Sequence, residues 1–489
     1  MTPTVEGLSE YIEHKSMNKP VEVISEMNWD IEVAEPQEYY PVTSSQKRIY
    51  VQHQLKNAAT AYNMPFIWNL NQEIDTNRFE TALELLIKRH DSLRTTFEWM
   101  EGELVQKVHD QVPLKLEYMI CEDNEIFENM RTFIQPFNLK IAPLFRIKML
   151  KIASDRYVML FDMHHIISDG VSINIFMEEL MALYEGIELS PLRLQYKDVA
   201  VWQQLYRDSE DYLEHERYWL DIYRGEIPVL DLPTDYERPE IQSFAGDKVS
   251  IALDQGILQQ LKRLSLQTRT TMYMILLSAY YILLAKYSGK EDIIVGTTIA
   301  GRNHPDMEGM IGVFVNALAL RCSTNHDHTF QSLLAEVKEI TLNAYKHQNY
   351  PFEELVDRLD IRRDVSRNPL FDTMFVFHNQ MSKEVDGRER EENINLNMSG
   401  DIGHHAIKFD LTLDAFEVNN TMHLTMEYCT DLYKKVTADM LLHYYKRILV
   451  SCIENPMVKI SELEVLSTSE KQQVVSRINV NRELPMFEM

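Results

Sequence analysis

From Pro41 onward the chain alternates helix-period and strand-period segments in two successive blocks, separated by the proline-bearing stretch "EIPVLDLPTDYERPE" at 226–240. In the first block "TNRFETALELLIKRHDSLRTTF" sets Phe79, Leu83, Leu86 and Ile87 at helical spacing and then turns extended. "LFRIKMLKIA" and "RYVMLFDMHH" alternate like strands, and "SINIFMEELMALYEG" reads as a helix stopped by Gly186. The second block offers helices "QGILQQLKRLSLQ" and "MYMILLSAYYILLA", strands "DIIVGTTIAG" and "VFVNALALR", then helix "FQSLLAEVKEITLNAYKHQ". Strands "FDTMFVFHN" and "TMHLTMEY" and helix "TADMLLHYYKRILVSCIEN" complete it. Such alternation in a chain of 489 residues, longer than most single domains, predicts two related α/β lobes, 41–220 and 221–465.

The stretch "FDMHHIISDG" concentrates the chemistry. As a strand, "RYVMLFDMHH" places Tyr157, Met159, Phe161, Met163 and His165 on one face and Val158, Leu160, Asp162 and His164 on the other. Adjacent histidines on a strand point opposite ways and do not share a metal ion, and no second His/Cys cluster stands nearby to complete a zinc site. "IISDG" then turns the chain into a helix near Val171, with Ser168 or Asp169 at the N-cap. A sharper expectation for Asp169 is a buried carboxylate paired with an arginine, bracing the turn that carries the histidines. Gly170 suits either a turn with positive φ or close approach by a substrate backbone.

Composition narrows the function classes. A formal net charge of −26 argues against nucleic acid or an anionic membrane as the main partner. The four cysteines, Cys121, Cys322, Cys429 and Cys452, are scattered as in a protein of a reducing compartment. The N-terminus lacks a signal-peptide pattern, and the most apolar run, 272–285, is too short to span a bilayer. A cytoplasmic protein is expected.

"MHHIISDGVS" resembles the HHxxxDG signature of condensation domains of nonribosomal peptide synthetases, in the superfamily of chloramphenicol acetyltransferase. Other stretches resemble that family's core motifs in order: "TSSQKRIY" (43–50), "RHDSLRTTF" (89–97), "YKDVAVW" (196–202) and "IGVFVNALALR" (311–321). "HQNYPFEELV" (347–356) and "RDVSRNPLFDTMF" (363–375) follow. The resemblance covers about residues 41–380, and the family's length extends it to about 465. "PTVEGLSEYI" resembles the last helix of a carrier protein, giving a helix remnant at 1–14 and a linker at 15–40. "LSTSEKQQVV" resembles the lead-in to an adenylation domain, making 466–489 a linker.

The resemblance implies two acetyltransferase-like lobes forming a V-shaped pseudodimer with the active site between them. It implies amide-bond formation between a donor acyl or peptidyl thioester and the α-amine of an acceptor aminoacyl thioester. Upstream donor and downstream acceptor carrier proteins would be the partners, beside an adenylation domain. Their 4'-phosphopantetheine arms would enter as part of the substrates, with no permanently bound cofactor.

His165 matches the family's proposed general base. An α-amine with a pKa of about 7.7–8 is already roughly 10–20% neutral near pH 7, so positioning and stabilisation of the tetrahedral intermediate outweigh proton removal. His164 is expected to be structural, and Asp169 to pair with Arg89, Arg94 or Arg321. The Gly170 N–H is a candidate oxyanion donor. Asn316, Trp202 and Ser44 are candidates for lining the channel, against packing roles for the first two and helix capping for Ser44. The rival within the superfamily is an epimerization domain, against which the "SSQKRIY" start and the "AYNMP" stretch (61–65) resemble condensation domains taking an L-configured donor, the L-donor, L-acceptor type. The rival from another class is a catalytically silent carrier-docking module.

Overall fold

The computed structural model describes residues 30–54, 60–325, 327–359, 361, 364–378 and 405–465. The expected carrier helix at 1–14, the linker up to residue 29 and the segment 466–489 lie outside the described residues.

In the first half the chain runs β1 (Tyr40–Pro41), α1 (Ser44–His53), β2 (Asn63–Leu70), α2 (Thr76–Arg89), β3 (Thr95–Met100), β4 (Glu103–Val108) and β5 (Leu116–Ile120). It continues through α3 (Ile126–Phe133), β6 (Phe145–Lys151), β7 (Tyr157–His164), α4 (Gly170–Glu185), α5 (Tyr196–Tyr206) and α6 (Glu210–Ile222). The second half comprises β8 (Ala245–Leu253), α7 (Gln255–Thr268), α8 (Met272–Ser288), β9 (Asp292–Ile299), α9 (Pro305–Glu308) and β10 (Asn316–Ser323). Then come α10 (Phe330–Lys346), α11 (Phe352–Arg358), β11 (Thr373–His378), β12 (His405–Ala406), β13 (Leu411–Val418), β14 (Thr421–Cys429) and α12 (Lys435–Glu454).

The first lobe is built on a sheet of order β2-β7-β6-β5, beside a small sheet β1-β4-β3; the second has one sheet of order β10-β9-β11-β13-β14-β8-β12. β7 is central and buried along its whole length. Its alternation divides it between two apolar clusters: Tyr157, Met159, Phe161 and Met163 join the lobe's main core with α4. Val158 and Leu160 pack on the other face with Ile126 and Met130 of α3. Helix α4 stops where expected, at Gly186, whose φ of 81° is the left-handed conformation that favours glycine. In the second lobe α8 is buried from Tyr273 to Ala285, as an apolar run too short for a membrane must be in water. No helix among the described residues is long and apolar enough to cross a membrane.

Among the described residues, two segments run from one lobe's core into the other's. Along α5 and α6 the core changes hands: Tyr196 and Val199 belong to the first lobe's core, Tyr212 and Trp219 to the second's, and Trp202 packs against both. The second segment departs from the expectation drawn from sequence. The strand expected over "VFVNALALR" begins only at Asn316. Between β9 and β10 the chain leaves the second sheet, and Met307, Met310, Ile311, Val313 and Phe314 are buried in the first lobe's core. An apolar run that looks like a continuous strand is instead divided, half pairing in one lobe and half inserted into the other.

Candidate active site

β7 ends at His164, so His165 is not a strand residue but opens a 3₁₀ turn, His165–Ile167. His164 is fully buried. Its Nδ1 accepts the Ile166 N–H at 3.1 Å, capping that turn. Nδ1 being an acceptor, the ring proton sits on Nε2, 3.2 Å from Nδ1 of His53 at the end of α1. His53 in turn bonds the Phe137 backbone carbonyl. Burial first, then the nearby charges of His53 and His165, push the His164 pKa well below the usual imidazole range.

His165 is half-buried. Its backbone N–H donates to the Tyr62 carbonyl at 2.8 Å. Its Nδ1 lies 2.7 Å from the Ser168 carbonyl, which can only accept, so Nδ1 carries the proton and Nε2 is left as an acceptor. Burial and then the positive charge of Lys408 hold the ring's pKa below the ordinary value, against the Ser168 bond and the Asp169 charge that raise it. At neutral pH the ring is a neutral imidazole with a fixed tautomer.

Asp169 is the N-cap of α4, accepting the Ser172 N–H at 2.8 Å. The same oxygen, Oδ1, also contacts Ser172 Oγ at 2.8 Å and accepts from Arg302 Nη2 at 3.1 Å. Oδ2 accepts the Phe314 N–H at 2.9 Å. The arginine partner is thus Arg302, not any of the three expected from sequence. Arg89 is held by Glu179 at 2.9 Å, Arg94 by Asp91 and Arg321 by Asp292 at 2.7 Å, each satisfying a nearer carboxylate of its own lobe. Arg302 also donates to the Met307 and Met310 carbonyls and lies over the Phe314 ring, 4.1 Å from its centre. Gly301 makes this possible: its φ is +65°, and a Cβ there would stand 2.0 Å from the Phe314 carbonyl oxygen.

Gly170 is the first residue of α4 and does not have positive φ, so the turn role is corrected; Asp169 makes the turn in extended conformation. Gly170 is exposed, and the space its Cβ would occupy is open. Its N–H belongs to the first turn of a helix, where backbone donors lack partners within the helix.

Ser44 is not the cap of α1; Thr43 is, accepting from Gln46 in a capping box. Ser44 Oγ instead donates to Glu354 of α11 at 3.0 Å, an inter-lobe contact that Arg207 also joins. One residue turn along α1, Arg48 bridges to Glu353 at 2.6 Å. Asn316 is consumed by the backbone: Nδ2 donates to the Gln348 and Tyr350 carbonyls at 3.0 and 2.9 Å, and Oδ1 accepts from Phe352 at 3.1 Å. Trp202 stacks on Tyr206 with centres 5.0 Å apart. Trp202 and Asn316 do border an inter-lobe cavity of about 80 Å³, with Ser45; neither Ser44 nor His165 is among its walls. Among the described residues no group of three or more His, Cys, Asp or Glu side chains gathers as a metal site would require.

Three residues of this centre lie outside the site expected from sequence: Arg302, Tyr62 and Lys408. None sits at a periodic or motif-spaced position relative to the histidines, and all arrive from other segments of the chain.

A two-lobed α/β molecule with a neutral, oriented histidine at a braced strand-to-helix turn is the class of acyl-transfer scaffold that the sequence resembles. A family model described as the Condensation domain matches residues 36–475, and the chain belongs to that family. It is 43% identical over 483 residues to Gramicidin S synthase 2 of Brevibacillus brevis, a match covering 98% of this chain and 10% of the relative. The chain thus spans about a tenth of the length of that curated relative. The solved X-domain from teicoplanin biosynthesis superposes with a TM-score of 0.80 at 25% identity, covering 89% of this chain and 100% of that one. The condensation domain from Monacolin K polyketide synthase MokA superposes with a TM-score of 0.75 at 20% identity, covering 87% and 99%. The fold is the chloramphenicol acetyltransferase-like pseudodimer of two lobes.

Proposed function

We propose that this chain joins a donor acyl or peptidyl thioester to the α-amine of an aminoacyl thioester, each borne by its own carrier protein, with both residues at the new bond in the L configuration. The observation that carries this reading is the His165 Nδ1–Ser168 carbonyl bond of 2.7 Å, which leaves Nε2 as an acceptor on a neutral ring. A neutral Nε2 can accept a hydrogen bond from an incoming amine, aim its lone pair, and take a proton once the C–N bond has formed. An imidazolium could do none of these.

In the proposed sequence the amine nitrogen attacks the thioester carbon, and the carbonyl oxygen becomes an oxyanion. The Gly170 N–H, at the exposed start of α4, is the candidate donor to that oxyanion. His165 accepts one proton from the nitrogen. Collapse breaks the C–S bond, and the departing thiolate of the donor carrier takes up the equivalent of that proton. The lengthened chain stays on the acceptor carrier. Both phosphopantetheine arms act as parts of substrates. Asp169, with both oxygens engaged by Ser172, Arg302 and Phe314, braces the turn and is not a base.

The test is incubation of the chain with separately loaded donor and acceptor carriers, followed by intact mass spectrometry of the acceptor. A mass gain equal to the donor acyl group is the expected result. Exchange of the donor α-hydrogen without amide formation would favour the epimerization reading. Carrier binding with neither reaction would favour a silent docking module.

A further inference from the structure

Lys408 lies in the second lobe, between β12 and β13. Its carbonyl is held by the side-chain amides of Gln242, at 2.8 Å, and Asn368, so its position in that lobe is firm. Its side chain reaches the first lobe, where Nζ stands 4.9 Å from the centre of the Tyr62 ring. Tyr62 flanks both motif histidines: its ring centre is 6.5 Å from that of His164 and 6.5 Å from that of His165. Its carbonyl also receives the His165 N–H at 2.8 Å. A cation on the face of Tyr62 is therefore placed one ring away from His165, and it comes from the opposite lobe.

Resting on the amide-forming reading, we propose that Lys408 is a positioning residue acting by charge: it keeps His165 and the incoming α-amine neutral. Both groups become cations on protonation, and a neighbouring cation disfavours that form of each. The amine then arrives as a nucleophile, and Nε2 of His165 is vacant to receive it. The other charges near this pair act in known senses. Arg48 of α1 adds to the effect on His165 but is itself tied to Glu353 of α11; Asp169 opposes it. Glu427 of β14 favours the charged form of Lys408.

The pH range of the device follows. Burial first, and then the Arg48 charge, lower the Lys408 pKa to about 8. The ammonium is present through neutrality and is lost above about pH 8, where an α-amine of pKa about 7.7–8 is neutral without help.

The experiment uses the full chain, its Lys408→Met and Lys408→Arg variants, and two loaded carriers. Single-turnover amide rates are followed from pH 6 to 9, and the titration of the His165 ring in the free protein is followed from the acid limit of the folded state up to pH 9 by NMR of ¹³C-labelled histidine. The His165 signal is identified by its loss in His165→Ala. For Lys408→Met the acidic limb of the rate profile should rise by about one pH unit, with the rate converging on wild type above pH 8. The His165 titration should move up with it, and Lys408→Arg should keep both low.

A loss of rate uniform across pH, with the His165 titration unmoved, would mean that Lys408 is only structural and would overturn the proposal. Should Lys408→Met not fold, wild type decides: its His165 signal should shift a second time near pH 8, and Lys408→Arg should lack that inflection. A wild-type signal without it sinks the proposal. If wild type forms no amide, the functional reading fails while the His165 titration still judges the charge of Lys408.

Discussion

Arg302 and Asp169 meet 3.1 Å apart, with 6% and 4% of their side chains exposed, although 133 positions of sequence separate them. Asp169 caps the helix that follows the histidines, while Arg302 starts the excursion between β9 and β10 that inserts into the first lobe. This buried pair ties the geometry of the histidine turn to the seating of the second lobe's chain. Removing one partner leaves an uncompensated buried charge, and Arg302→Ala should cost about 3–5 kcal/mol. Urea unfolding followed by tryptophan fluorescence measures it. A companion Asp169→Asn series should show strong coupling between the two sites; additive losses would contradict a direct pair.

The two histidines should separate cleanly on mutation. His164→Phe strands the buried Ile166 N–H and the His53 ring, which should cost about 1–3 kcal/mol of stability. His165→Ala removes a half-buried ring whose side chain bonds, among the described residues, only the Ser168 carbonyl, so the melting temperature should scarcely move. Its amide rate should instead fall about a hundredfold. Melting curves and single-turnover rates on both variants check the pair. Equal melting losses would erase the distinction between scaffold and chemistry.

Asp162, fully buried two residues before His164, gives a pH signature. Burial raises its pKa from 3.8 to about 7, only partly offset by Arg146, 3.7 Å away, and by the Asn63 amide. Below about pH 4 the group is protonated in both folded and unfolded chains, and its stabilising contribution is complete. As pH rises towards 7 the unfolded chain releases the proton while the folded chain holds it, so stability falls. Asp162→Asn should remove a loss of about 2–4 kcal/mol across that range. The readout is the difference between variant and wild-type urea midpoints at pH 5 and pH 8. A difference independent of pH would show that Asp162 is ionised throughout in the fold.

Gly312 tests the packing of the inserted segment. A Cβ there would fall 2.0 Å from Cδ2 of Tyr196, whose hydroxyl is anchored on the Val313 carbonyl at 2.6 Å and beside Thr43 Oγ1 at 3.1 Å. Gly312→Ala should destabilise by about 1–3 kcal/mol through overpacking. Adding Tyr196→Leu should recover part of that loss, because the ring is what the methyl meets. Thermal melting of the single and double variants measures it. No recovery would place the strain elsewhere.

Local pattern was sufficient for most of the elements. Period two in "RYVMLFDMHH" divides its side chains between the two clusters found on the faces of β7, and the apolar run in α8 is buried as its length demands. The motif at 164–170 could be recognised because its parts are neighbours in sequence, and helix capping by Asp169 follows from residue type alone. Partnership across the fold was beyond such reasoning. Arg89, Arg94 and Arg321 are the arginines that sequence offers and Arg302 is not among them, since a guanidinium carries no mark of which carboxylate it will meet. Burial and the path of the β9–β10 excursion made the choice. The same holds for the strand that began late at Asn316 and for Lys408, whose charge matters only because a second lobe delivers it beside Tyr62. Periodicity encodes which face a residue takes, a property of a few neighbouring positions. Which distant groups share a low-dielectric site depends on how the lobes close, and only the tertiary structure decides that.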